Sequence, residues 1–185
     1  GDVYKRQHPM EPMTSEEAHA YCVAKTKASG SNFYYSFFFL PQFRREAMYT
    51  VYTFCHEVDD TVDHPQPDNN PREQLSQWRQ EIEAMYQGTP QYPVTISLAA
   101  HARNLNISES YFQELVTGME MDLTNTRYAT FNDLYLYCYR VASIVGLICL
   151  KVFGTQDPRA QDYAINLWVA FQLTYILRDV GVDGN

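Results

Sequence analysis

Tyr52-Thr53-Phe54-Cys55-His56-Glu57-Val58-Asp59-Asp60-Thr61-Val62-Asp63 is the stretch on which the reading of this chain turns. Taken as a helix, it brings Tyr52, His56, Asp59 and Asp63 to one side, at steps of four, three and four residues. Ala47, Val51, Phe54, Val58 and Val62 make a second, apolar stripe with the same repeat. The polar stripe ends in two bare carboxylates, Asp59 and Asp63, one turn or roughly 6 Å of helix rise apart. Near the other end of the chain Trp168, Gln172, Tyr175, Asp179 and Asp183 repeat the arrangement, again closing on a carboxylate pair.

Outward from that stretch the chain punctuates itself as helices. Thr14-Ser-Glu-Glu17 fits a capping box and opens a helix through about Ala28, with Gly30 as its C-terminal cap. The run from Asn32 to Leu40 suits a buried strand or a buried helix equally. Pro41 is placed as a first-turn proline of the long helix that ends at Asp63. The segment 64–71, rich in Pro and Asn, reads as a loop. Pro71 opens a helix with Leu75, Trp78, Ile82 and Met85 on one face, closed by Gly88. Further helices are expected from Pro93 to about Asn104, from Ser108 to Leu123, from Thr130 or Asn132 to Phe153 before Gly154, and from Pro158 to Asp183. No sustained period-two pattern appears, so the fold class is all-α, one domain with helices around a shared interior.

Residues 1–13 read as a non-native or disordered tail, with Met10 or Met13 as the true start, and no secretory signal is visible there. The chain stops at Asn185 just after the second acidic pair, which reads as the N-terminal portion (14–185) of a longer domain. A net charge of −8 argues against a nucleic-acid partner. Aromatic residues reach 15%, which suggests a core or cavity walled by rings. Cys22, Cys55, Cys138 and Cys149 lack paired or zinc-like spacing and read as buried thiols of a reducing compartment, which points to the cytoplasm. The best apolar run, Val141 to Leu150, falls short of the roughly 20 residues of a membrane span. Contact with a membrane would then be peripheral, at the inner membrane.

Four inward carboxylates in one cavity are untenable without protons or cations to neutralise them. Hard oxygen ligands select Mg²⁺, which keeps waters and shares its shell with substrate phosphates. A metal-filled mouth over an aromatic-walled interior suits a ligand with a diphosphate head and a hydrocarbon tail. The chemistry would be Mg²⁺-assisted loss of diphosphate, leaving an allylic cation that ring faces stabilise. The plainer reading is that an Asp-x-x-x-Asp spacing belongs to a solvated helix face. Other residues also keep two readings: His56 as a phosphate contact or cavity lining, Arg178 as a diphosphate ligand or a surface ion pair. Tyr137 to Tyr139 and Val141, Ala142 and Gly146 read first as close helix packing, and Phe33 to Phe39 as core.

Five ordered motifs resemble the squalene/phytoene synthase family, the enzymes that join isoprenyl diphosphates head to head. They are Asn32 to Pro41, Tyr52 to Asp63, Gly118-Met-Glu-Met-Asp-Leu123, Tyr137-Cys-Tyr-Arg-Val-Ala-Ser-Ile-Val-Gly146 and Phe171 to Asp183. Within it the chain is most similar to the presqualene-diphosphate-forming branch of bacterial hopanoid biosynthesis. The resemblance implies a helical isoprenoid-synthase bundle around a central cavity. It implies a Mg²⁺-dependent transferase that condenses two molecules of farnesyl diphosphate to presqualene diphosphate with release of diphosphate. Asp59, Asp63, Asp179 and Asp183 would hold the metal and act in catalysis with Tyr137. Arg178, Tyr52, His56 and Tyr175 would bind substrate, while Phe33, Val141, Ala142, Gly146 and Gln172 would shape the prenyl channels. Downstream squalene-forming enzymes are implied as partners. Phytoene synthase, using geranylgeranyl diphosphate, is the nearest alternative, and a non-catalytic prenyl-lipid-binding relative the other. His56, Tyr175 and Val182 stand where the family has Arg, Asn and Glu. An imidazole lacks the fixed forked charge of a guanidinium, and a phenol is a poor Mg²⁺ ligand.

Overall fold

A computed structural model describes residues 13–30, 33–64, 70–125, 127–155 and 157–183, without the side chains of 33 and 178–183. All regular structure in these residues is helical. Helix α1 spans Ser15–Ala28, and a short α2, Phe33–Ser36, runs on into a 3-10 turn at Phe37–Phe39. Then follow α3 (Gln42–Asp63), α4 (Pro71–Gln87), α5 (Pro93–Asn104) and α6 (Glu109–Asp122). Helices α7 (Phe131–Cys138) and α8 (Ile144–Phe153) are joined by a π-helical turn at Tyr139–Ser143, and α9 covers Pro158–Asp183.

The expected stop and start signals work as physical chemistry suggests. Thr14 Oγ1 accepts from the Glu17 amide at 3.2 Å while Glu17 Oε2 accepts from the Thr14 amide at 2.8 Å, closing the capping box of α1. Thr130 and Asp133 do the same for α7. Gly88 and Gly154 end α4 and α8 at φ +88° and +78°, backbone that a side chain would strain. Pro41 differs from its expected place: it is the extended residue before the first turn of α3, at ψ 145°. Its φ of −52° suits a helix, while its ring keeps Leu40 before it extended at ψ 149°, so the helix starts at Gln42.

Helix α3 is the axis of the bundle, packing against α1, α4, α5, α6 and α8. Its apolar stripe does what its spacing requires, with Ala47, Val51, Phe54 and Val58 at 0–2% exposure. Phe54 meets Phe112 of α6 and Trp78 of α4 edge-on, with centroids 5.1 and 5.5 Å apart. The expected face of α4, Leu75, Trp78, Ile82 and Met85, is buried in the same core. Helix α9 lies across α8 and the π turn.

Two expectations are corrected. Helix α7, the π turn and α8 form one helical run of 23 residues, Phe131–Phe153, long and apolar enough to cross a membrane by length and composition. The run outlasts the apolar stretch because Asp133, Arg140 and Ser143 all find partners: a cap, Glu114 and a backbone carbonyl of α9. The aromatic run at Phe33–Phe39 is core only in part. Phe37 is buried, but Phe38 is 51% and Phe39 94% exposed, because three residues per turn aim consecutive side chains about 120° apart.

Candidate active site

The polar stripe of α3 opens onto a hollow. Tyr52, Cys55, His56 and Asp59 of α3, Leu115 and Met119 of α6, and Val141 and Val145 line a mouth of about 300 Å³. Tyr52, Cys55 and Val145 also line a second, apolar cavity of about 490 Å³, so the two share a wall. This inner cavity runs between α3, α8 and α9, walled by Met48, Val51, Gly146, Leu150, Leu167 and Trp168, among others. Such a volume is that of a small-molecule site.

Close approach at two glycines builds this space. A methyl on Gly146 would lie 2.3 Å from Trp168 Cδ1, so only glycine lets the indole of α9 lie flat on α8. A methyl on Gly118 would meet Val141 Cγ1 at 2.7 Å, so α6 lies directly against the π turn that carries Val141 to the mouth. A π turn inserts one residue per turn and is frequent at functional sites.

Further carboxylates surround Asp59, which lines the mouth. Asp59 is half-buried and its acid is pushed up to about 6, first by burial, then by the charges of Asp63, Asp122 and Asp60. Asp122, the last residue of α6, was not singled out by spacing. It is open to solvent on one side yet ringed by protein, which raises its acid despite a hydrogen bond from the Tyr137 hydroxyl. Burial, with the Asp122 charge next, keeps Tyr137 far above the usual phenol range and therefore protonated. The Tyr137 ring also rests on Tyr128, centroids 5.3 Å apart. Three carboxylates on α3 and α6 thus repel one another around one opening.

The remaining site residues fall as follows. Tyr52 faces both cavities, and its hydroxyl donates to Ser29 Oγ at 3.1 Å. His56 lines the mouth, but its Nδ1 lies 3.8 Å from Asp60 and so leans towards the neighbour of Asp59. Ala142 is buried and lines neither cavity, whereas Gly146 lines the inner one. Gln172 is half-buried on α9, and Tyr175 is 51% exposed. The backbone of α9 continues through Asp183, and the side chains of Arg178, Asp179 and Asp183, like that of Phe33, lie outside the described residues. So does Val182. All four cysteines are free; Cys22 and Cys138 are buried, while Cys55 and Cys149 are half-buried in the cavity wall. Burial pushes the Cys149 thiol up to about 12, which leaves it inert.

Among the described residues no three His, Cys, Asp or Glu side chains converge tightly enough to hold a metal by themselves. The donor set still fits Mg²⁺, which takes one or two carboxylates and completes its shell with water and phosphate. A raised Asp59 acid with two further carboxylates beside it is the electrostatic signature of a place that gains from a cation.

Comparison with known proteins agrees with this architecture. The family model for squalene/phytoene synthase matches residues 26–185. A phytoene synthase of Arthrospira platensis is 34% identical over 185 residues, covering 93% of this chain and 60% of the relative. A presqualene diphosphate synthase of Sinorhizobium fredii is 39% identical over 168 residues, covering 90% and 60%. The chain therefore spans little more than half the length of the curated relatives it matches. Among solved structures, a dehydrosqualene synthase in complex with ligand superposes with a TM-score of 0.78 at 32% identity, over 91% of this chain and 59% of that one. The squalene synthase HpnC from Alicyclobacillus acidocaldarius gives 0.84 at 25%, over 95% and 65%. With helices throughout its described residues, a polar mouth beside an apolar cavity and a family match over residues 26–185, the chain belongs to the squalene/phytoene synthase family.

Proposed function

We propose that the protein joins two isoprenyl diphosphates head to head with loss of diphosphate, using farnesyl diphosphate and forming presqualene diphosphate. The observation that carries this reading is that Tyr52, Cys55 and Val145 line both the mouth that holds Asp59 and the apolar cavity, so a polar opening and an apolar space lie side by side. A diphosphate head with a hydrocarbon tail has that division of polarity. Identities of 39% and 38% to presqualene diphosphate synthases, over 168 and 157 residues, against 34% and 36% to bacterial phytoene synthases, over 185 and 180, lend the shorter substrate modest support.

In this reading the tail of the ionising substrate lies along Met48, Val51, Leu150 and Trp168, which exclude water from the cation. Its head sits at the mouth, where Asp59 and Asp63 would hold Mg²⁺; by the family resemblance Asp179 and Asp183 would be the second pair and Arg178 would bind the diphosphate. The bound metal supplies the positive charge that stabilises the departing diphosphate. The ring of Tyr52 and the indole of Trp168 face the cavity and offer π-faces to the allylic cation. Attack by the double bond of the second substrate forms a carbon–carbon bond, and loss of a proton closes the cyclopropane. Tyr137 stays protonated and serves as a hydrogen-bond donor that Asp122 orients. His56 gives the head a weaker contact than an arginine would.

Incubation with farnesyl or geranylgeranyl diphosphate, Mg²⁺ and no reduced nicotinamide cofactor, followed by mass spectrometry, tests the reading. A C30 diphosphate from farnesyl diphosphate is the expected product. Phytoene from the C20 substrate would replace the assignment of chain length. Tight binding of both diphosphates without any product would make the protein a prenyl-lipid-binding relative.

A further inference from the structure

Helix α6 supplies part of the mouth, and how it is held there is a separate matter from its burial. It packs between α3, α4 and the π turn. Leu115, Met119 and Asp122, at steps of four and three residues, make its stripe towards the site. Leu115 and Met119 line the mouth, and Asp122 lies beside Asp59 and accepts from the Tyr137 hydroxyl. Two further stripes have the same steps: Gln113, Thr117 and Glu120, then Glu114, Gly118 and Met121. A rotation of ~100°, one residue of an α-helix, would exchange one stripe for the next.

A single arginine grips each of these two stripes. Arg79 of α4 engages all the N–H groups of its guanidinium with the first. Its Nε and Nη2 donate to the two Glu120 oxygens at 3.0 and 2.7 Å, and Nη2 also to Thr117 Oγ1 at 2.9 Å. Its Nη1 donates to the side-chain and main-chain oxygens of Gln113 at 3.1 and 3.3 Å. Arg140 of the π turn lies along the second stripe, its Nε donating to Glu114 Oε2 at 2.8 Å and its Nη1 to Met121 Sδ at 3.4 Å. Between those contacts a methyl on Gly118 would lie 3.1 Å from Arg140 Cβ. Burial of Phe112, Leu115, Val116 and Met119 already attaches α6 to the core. Apolar contact is non-directional, however, and Gly118 has no side chain to interlock with the π turn, so the core sets the rotation of α6 only weakly. Hydrogen bonds are directional, and a planar fork that reaches along two turns of helix fixes that rotation. The paired side chains are 24–42% exposed, where ion pairs add little to stability.

We propose that Arg79 and Arg140 are positioning residues for the mouth: two clamps that fix the rotation of α6, so that Leu115, Met119 and Asp122 face the site. The inference rests on the head-to-head reaction proposed above. Neither arginine lines the mouth or the inner cavity, so each acts through α6. Releasing either clamp lets Asp122, and the Tyr137 hydroxyl bonded to it, move relative to Asp59. A misplacement of about 1 Å at a reacting centre costs on the order of 100-fold in rate. Arg140 and Glu114 are also the chain neighbours of Val141 and Leu115, so their ion pair sets how far apart those two mouth residues stand.

Initial rates with farnesyl diphosphate and Mg²⁺, read beside thermal melts, test the clamps. Arg79→Gln and Arg140→Gln should each lower kcat by ~10–100-fold while KM stays within about threefold of the parent. Their Tm should stay within about 5 °C, because these pairs are partly exposed. Arg79→Lys, which keeps the charge without the fork, should fall with Arg79→Gln. The charge-swapped double variant Arg140→Glu/Glu114→Arg should regain roughly tenfold over either single reversal, a coupling that general loss of stability does not produce. Arg103→Gln, at an exposed arginine of α5 outside both clamps, should behave as the parent. If a glutamine variant does not fold, Arg79→Lys and the swapped pair decide. Parent rates in both glutamine variants, a fall in kcat that only follows Tm, or a swapped pair no better than its single reversals overturns the proposal. A parent that makes no product from either prenyl diphosphate refutes the reaction, and this inference with it. An active parent with equally active clamp variants refutes the clamps alone.

Discussion

Asp59 and Asp63 carry most of the weight at the scale of single residues, and their neighbour Asp122 shows what a linear reading leaves out. The pair was legible because a spacing of four puts both carboxylates on the stripe that also holds Tyr52 and His56. Asp122 follows Glu120 by two residues, a spacing that puts the two on different faces of a helix; it lies in the Gly118 to Leu123 motif, but its place beside Asp59 comes from the meeting of α6 with α3. Two substitutions separate their roles. Asp63→Ala should lower turnover at least a hundredfold and remove the response to added Mg²⁺, as measured by initial rates over a metal titration. Asp122→Asn should lower kcat by ~10–100-fold, the weight of a hydrogen bond to a charged acceptor, while leaving the Mg²⁺ response in place. An unchanged kcat in Asp122→Asn would remove the Tyr137–Asp122 pair from the mechanism. At Gly146 the argument is steric. Gly146→Ala pushes a methyl into Trp168 and should cost ~1–3 kcal/mol, seen as a fall in Tm of roughly 2–12 °C.

Between elements, two buried polar groups fix how helices meet. Glu81 of α4 is 6% exposed and accepts from the Gln91 and Tyr92 amides at 2.6 and 2.8 Å and from the Thr95 hydroxyl. It thereby caps the start of α5, where Pro93 needs no partner. Glu81→Ala leaves these donors buried without an acceptor and should cost ~2–4 kcal/mol by chemical denaturation. His101 of α5 is buried beside Phe43, with His19 of α1 and Glu46 of α3 around it. Burial first, then the His19 charge, holds its folded pKa below the ordinary 6.5, while Glu46 opposes. A base with a depressed folded pKa binds fewer protons folded than unfolded, so its contribution to stability is present above pH 6.5 and is lost as acid is added. His101→Gln should therefore flatten the fall in Tm between pH 7 and pH 5, and an identical slope in the variant would contradict the assignment. Helix boundaries were readable to within a residue or two, because caps, prolines and glycines act locally. The π turn at Tyr139–Ser143 was not, since it answers to the approach of Gly118 and α9 rather than to its own residues.

Over the whole molecule the all-α reading held, because apolar stripes at helical spacing had to find a common interior. The run from Phe131 to Phe153 shows where composition misleads: it is long and apolar enough to cross a membrane, yet half of it packs between α3, α6 and α9. The aromatic abundance divides three ways, into the Phe54–Trp78–Phe112 core, the cavity wall and the exposed turn at Phe38 and Phe39. No periodicity separates these, since a 3-10 turn scatters consecutive rings over different faces. The central claim is that mouth and cavity form one site for a prenyl diphosphate held through a metal. Calorimetric titration with a non-hydrolysable farnesyl thiodiphosphate, with and without Mg²⁺, tests it most directly. The account predicts binding at least tenfold tighter with Mg²⁺, a gain that disappears in Asp63→Ala. Affinity that is the same with and without the metal, and the same in the variant, would contradict it.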